Sequence, residues 1–137
     1  MAILHSLPVG TIVRCDYSRG GFQPPEMVKP RPAIIISPRL SHRDNLCTVV
    51  PISGHYSGRD LSYVVKLEFD PPLPEPFSYA VAWVKCDMLA TVSFSRLDMF
   101  RTERDQTGKR KYLRPCLRSE DFQRVKVGIL CGLGWPP

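Results

Sequence analysis

A small, mainly β fold carrying one C-terminal helix is what this 137-residue sequence predicts. Three observations lead there. Six short runs are rich in Val, Ile, Thr and aromatic residues, Gly- and Pro-bearing turns separate them, and the last segment alone carries helical periodicity. Short strands at this spacing argue for a barrel or a sandwich. At 43% hydrophobic, the chain fits one domain over residues 1–137, large enough to bury a core without staples.

The strands are predicted at Thr11–Tyr17, Ala33–Ser37, Cys47–Ser53, Ser62–Phe69, Ala80–Cys86 and Ala90–Phe94. Ser18-Arg19-Gly20-Gly21 opens a long first loop that reaches Pro30, and residues 70–76, with four prolines, form another loop. From Leu61 to Phe69 the residues alternate, with Val65, Leu67 and Phe69 on one face and Lys66 and Glu68 on the other, so this strand is half-buried. Ala33–Ile36 and Val49–Ile52 are continuously apolar and read as central strands covered on both sides. The helix is expected over about 119–133, capped by Ser119, with Glu120 and Asp121 at its positive end. Phe122, Val125, Ile129, Leu130 and Leu133 form its apolar stripe. Gly128 weakens it by about 1 kcal/mol relative to Ala, and Gly134 and Pro136 end it.

No apolar run approaches the roughly 20 residues that span a bilayer, and no basic leader precedes a long apolar segment, so a cytoplasmic protein with no membrane association is expected. The five cysteines, at 15, 47, 86, 116 and 131, are widely spaced and form no C-x-x-C pair. Cys15, Cys47 and Cys86 lie in or beside apolar runs and read as small buried hydrophobes. The net charge of +6 is concentrated in residues 101–118, which hold seven Lys/Arg against Glu103 and Asp105. This stretch reads as a basic arm turning at Thr107-Gly108, either a nucleic-acid footprint or a solvated face.

Motifs for serine hydrolases, zinc proteases, P-loops and dinucleotide folds are absent. His5, His42 and His55 are isolated, with no ligand spacing to a Cys or carboxylate, so neither a metal nor another cofactor is expected. What remains is a set of polar groups at strand ends and in loops. Arg31-Pro32 stands between a Pro-rich loop and an apolar strand, Glu26 lies in that loop, and Ser53 ends the next strand. Lys85 and Asp87 are placed by alternation on one face of theirs. The bland reading of the last two is a surface ion pair worth ~0–1 kcal/mol.

Several of these residues occur in an order that resembles the MazF/PemK toxin family. The order is Val9-Gly10-Thr11-Ile12-Val13, Glu26 five positions before Arg31-Pro32, an Ile-rich strand, Val50-Pro51-Ile52-Ser53, Trp83-Val84-Lys85-Cys86-Asp87, and Thr91-Val92 with Arg96-Leu97 beyond. The segments 24–29 and 87–94 resemble an uncharacterised YifN-like branch of that superfamily. The resemblance implies an SH3-like barrel with a C-terminal helix, usually a homodimer. It implies a type II toxin that cleaves single-stranded RNA (mRNA) as a metal-independent endoribonuclease and is blocked by a cognate antitoxin protein.

Carried over residue by residue, the family's active arginine falls on Arg31, its active hydroxyl on Ser53, its loop acid on Glu26, and a basic and acidic pair on Lys85 and Asp87. The chemistry suits those roles. RNA cleavage without metal needs a base for the 2′-OH, cations around the phosphorane and an acid for the leaving 5′-oxygen. Arg31 has a planar fork for phosphate oxygens. Ser53, with no evident His partner, suits positioning. Asp87 or Glu26 is the base. Arg19, Lys29, Lys109, Arg110 and Lys111 are the expected phosphate contacts, and Phe22, Tyr56 or Phe77 the stacking surfaces for bases. Ser53 stands where threonine is common in the family, Met27 where glutamine is frequent, and Ala90 where arginine is often found. The competing expectation is a catalytically inactive barrel that binds nucleic acid or protein.

Overall fold

The computed structural model describes residues 3, 5–104, 106–108 and 110–137, the side chains of 102–104 and 110–112 excepted. Nine strands precede one helix: β1 Ile12–Cys15, β2 Arg31–Ile35, β3 Leu46–Ser53, β4 Val64–Glu68, β5 Val81–Lys85, β6 Ala90–Ser93, β7 Leu97–Asp98, β8 Phe100–Arg104, β9 Arg110–Leu113 and α1 Ser119–Gly132. All pairings are antiparallel, in the order β4-β5-β3-β2-β1-β7 with β6 also on β3, and β8–β9 form a separate hairpin. This is the predicted small SH3-like barrel with a C-terminal helix.

β3 organises it. One edge pairs with β2, and the other takes β6 along Leu46–Val49 and β5 along Ile52–Ser53. Its alternate residues feed two cores. Cys47 and Val49 join Val13, Cys15, Ala33, Ile35 and Val92 on one face, while Val50 and Ile52 join Ile34, Leu67, Val84 and Val125 on the other. A strand covered on both sides needs an unbroken apolar run, which explains why alternation is absent here and clear in β4, where Lys66 and Glu68 are exposed. Each fully buried Val or Ile adds about 1.5–3 kcal/mol of hydrophobic free energy.

The helix begins one residue earlier in its capping than expected. Arg118 is the N-cap with no side-chain bond, so Ser119 lies inside the first turn and does not cap. The ordinary cap contribution is replaced by Glu120 and Asp121 against the helix dipole and by Arg124, which donates to the Lys66 carbonyl at 2.9 Å. Of the predicted stripe, Val125 is fully buried and Phe122 and Ile129 pack at its margin, while Leu133 is exposed. Gly128 has a role the sequence concealed. A Cβ there would stand 2.8 Å from Cys86 Sγ and 3.0 Å from Val65 Cγ2, so the missing side chain lets α1 lie directly on the sheet.

Cys15, Cys47 and Cys86 are buried free thiols, and Cys116 is exposed. Burial pushes the Cys15 thiol up to about 11 and Cys86 up to about 12 from the ordinary 9.0. Raised acids keep their proton in the folded chain while the unfolded chain ionises. Their contribution to stability is therefore complete below about pH 9 and is lost as pH rises through 11–12.

Gly128→Val should lower stability by about 1–3 kcal/mol through overpacking. An unchanged or raised denaturant midpoint would contradict the close helix–sheet approach. At pH 8.5, iodoacetamide should label Cys116 in the folded protein and reach Cys15 and Cys86 only after denaturant is added. Equal labelling of all three would refute their burial.

Candidate functional site

The β2–β3 register pairs Ala33 with Pro51 and, carried two residues further, sets Arg31 opposite Ser53. On the other edge of β3, Ser53 pairs with Trp83 of β5. Directly opposed residues point to one face, so Arg31, Ser53 and Trp83 form a row across three strands, with Lys85 two residues along β5 on that same face. Arg31 begins β2 half-buried, and its Nε is buried without a hydrogen bond. Leaving a charged donor unsatisfied costs more than the ~1–3 kcal/mol of a neutral one.

Ser53 is 8% exposed, and its hydroxyl is engaged locally. It donates to the His55 carbonyl at 2.8 Å and accepts the His55 N–H at 3.3 Å. This holds the chain where it leaves β3 and agrees with a positioning role. The same turn brings Tyr56 over the row. Lys85 Nζ lies 4.5 Å from its ring centroid, and the Tyr56 and Trp83 rings are 6.4 Å apart. The cation–π contact contributes about 0.5–1 kcal/mol.

Lys85 and Asp87 do not share a strand face. β5 ends at Lys85, and Cys86–Met88 winds into a 3-10 turn, so strand alternation does not reach Asp87. Lys85 goes to Tyr56, whereas Asp87 joins Glu26. Both carboxylates line a pocket of about 300 Å³ whose other walls include Tyr17, Phe22, Met27, Leu89 and Ala90. The structure thus divides the five candidates into a cation row on β2, β3 and β5 and a carboxylate-rimmed apolar pocket. Ala90 pairs with Val49, on the β3 face that also carries Ser53, so row and pocket lie on one side of the sheet.

The first loop is held by a residue whose role the sequence did not disclose. Arg96 donates to the carbonyls of Asp16 (3.2 Å), Arg19 (2.8 Å) and Gly20 (3.0 Å), and its guanidinium stands 4.5 Å above the Phe22 ring. Phe22 also meets Tyr17 edge-on at 5.5 Å, which makes it a fixed wall with one face covered. Asp16 sits beside Ser18, and that hydrogen bond holds its carboxyl below the usual range. The only signal for Arg96 was its lone cation two residues after a strand end.

Arg19 and Lys29 are exposed on this loop, and Arg19 Nε approaches Asp16 at 3.7 Å. Phe77 is a correction. It is buried in the second core edge-on to Phe100 at 6.3 Å, and so it cannot stack a base. The basic arm is the β8–β9 hairpin, rooted by buried Phe100. Lys109 and the side chains of Arg110 and Lys111 lie outside the described residues. Among the described residues, no three His, Cys, Asp or Glu side chains gather to hold a metal ion, and no helix is long and apolar enough to cross a membrane.

Residues 9–126 match the family described as PemK-like, MazF-like toxin of type II toxin-antitoxin system, and the chain belongs to that family. It is 29% identical to YifN of Escherichia coli, a protein of uncharacterised function, over 93% of both chains. An uncharacterised Haemophilus influenzae protein is also 29% identical, over 68% of this chain and 70% of its own length. Among solved structures, a mycobacterial endoribonuclease in complex with its cognate antitoxin superposes with a TM-score of 0.62 at 17% identity, covering 96% of this chain and 99% of its own. MazF from Deinococcus radiodurans gives 0.59 at 16% identity, over 93% and 96%. At those identities the likeness is one of fold.

Arg96→Met should remove three loop hydrogen bonds, cost about 2 kcal/mol or more, and speed hydrogen exchange of the residue 16–22 amides by tenfold or more. Unaltered exchange in that loop would show that Arg96 does not hold it.

Proposed function

We propose that this protein is the toxin of a type II toxin-antitoxin pair and cuts single-stranded RNA, mRNA included, without a metal, in the cytoplasm. The observation that carries this reading is the row of Arg31 opposite Ser53, with a buried Arg31 Nε–H that makes no hydrogen bond. A phosphate oxygen satisfies such a donor, and the planar guanidinium fork matches two of them. Membership of a toxin family supports the reading.

In the proposed reaction the 2′-oxygen attacks the adjacent phosphorus and its proton passes to a carboxylate, Asp87 or Glu26. The bond from phosphorus to the 5′-oxygen breaks, and that oxygen takes a proton, for which the Lys85 ammonium is the nearby cationic donor. Arg31 stabilises the charge on the phosphorane, and Ser53 keeps the strand end and Arg31 in register. The products are a 2′,3′-cyclic phosphate and a free 5′-hydroxyl. DNA, which lacks the 2′-OH, is not a substrate. A cognate antitoxin that covers this face, and a homodimeric assembly, complete the proposal.

Incubated with mixed-sequence RNA in EDTA, the protein should release fragments with 2′,3′-cyclic phosphate ends. Arg31→Ala should lower kcat/KM by ~10²–10³, and Arg31→Lys should stay well below wild type because it loses the fork. No cutting by wild type, or equal cutting by Arg31→Ala, would overturn the assignment.

A further inference from the structure

We propose that the pocket between the first loop and the Cys86–Met88 turn holds one nucleobase of the RNA and selects guanine. This rests on the reading of the chain as an endoribonuclease. The pocket's volume of about 300 Å³ suits a single flat heterocycle, and its walls of Phe22, Met27 and Leu89 are apolar, as a base face requires. Phe22 is fixed by Arg96 on one face, so the slot is formed before a ligand arrives.

Hydrogen-bonding groups at the pocket decide which base fits. Glu26 and Asp87 both line it, and carboxylates accept hydrogen bonds. Tyr17, 1% exposed, is also part of the lining, and its hydroxyl is buried with no hydrogen bond. The neighbouring Cys15 thiol is only a weak partner. The site therefore offers one hydroxyl donor and an excess of acceptors.

Guanine presents the matching edge, with O6 to receive the Tyr17 O–H and N1–H and N2–H to meet one carboxylate. Cytosine and adenine place a ring-nitrogen acceptor beside their amino group, which would face carboxylate oxygens, and uracil has a single donor between two acceptors. The second carboxylate remains for the 2′-hydroxyl proton. Val49, the partner of Ala90 at the pocket, is four residues from Ser53 along β3, roughly 13 Å at strand rise. That places the base close to the cation row and on the same face.

Four tetranucleotides with 2′-O-methyl riboses, differing at one position only, separate base recognition from chemistry because they cannot be cut. By calorimetry with the intact protein, the guanine-bearing one should bind about tenfold or more tightly than the others. Tyr17→Phe should reduce that preference severalfold with an unchanged melting temperature, and Ala90→Arg, which fills the pocket, should abolish it. Uniform affinity for the four, or a guanine preference that survives both variants, would overturn the pocket. Parallel incubation with cleavable RNA in EDTA tells the two ideas apart. Cutting with no base preference sinks the pocket alone, while guanine-selective binding without cutting supports the pocket and sinks the nuclease reading.

Discussion

β3 must satisfy two cores at once, and the position of every functional group in this protein depends on how it does so. Its odd-numbered residues Cys47 and Val49 face one core, and its even-numbered Val50 and Ile52 face the other. A slip of one residue would exchange the two sets. Because both sets are apolar and buried, the register against β2 and β5 is strongly determined. That register delivers Arg31 and Trp83 to either side of Ser53. The row at the strand ends is therefore a consequence of core packing several residues away.

Electrostatics at the site are divided in space. Cations occupy the row, where Arg31 is half-buried at the mouth of the first core and Lys85 is held by an aromatic face rather than by a carboxylate. The two acids gather at the pocket. Separation keeps Lys85 and Arg31 available to a polyanion, since a carboxylate bonded to either would compete with phosphate for the same donors. It also leaves an acceptor-rich cavity beside a phosphate-binding surface, an arrangement that can orient a nucleotide by its base at one end and its phosphate at the other.

Two clamps hold this division in place. Arg96 satisfies three carbonyls of the first loop and carries Phe22, so the loop that supplies Glu26 is tied to the residues that follow β6. On the opposite face, Gly128 allows α1 to touch Cys86 and Val65, which fixes the start of the turn bearing Asp87. Both clamps act at a distance from the row. Changes in either should be felt as misplacement of the acids before any loss of the cations.

Much of this was legible in the sequence because hydrophobic periodicity is a local property. Alternation in residues 61–69, continuous apolar runs at 33–36 and 49–52, and a helical stripe after 118 determined the class of fold and its central strands. The ordered residues around Arg31, Ser53 and Trp83 carried the family resemblance. What the sequence could not determine was everything that depends on where a strand stops or on what a neighbour occupies. Lys85 and Asp87 share a face only if β5 continues, and the 3-10 turn that parts them is dictated by Cys86 packing under α1. Gly128 costs free energy in an isolated helix and is required in this one. Phe77 and Phe22 are equally aromatic in sequence, yet one fills a core and the other walls a pocket. Local pattern decides which elements form, whereas contacts between residues far apart in the chain decide where each ends and which side chains meet, and only the tertiary structure contains those contacts.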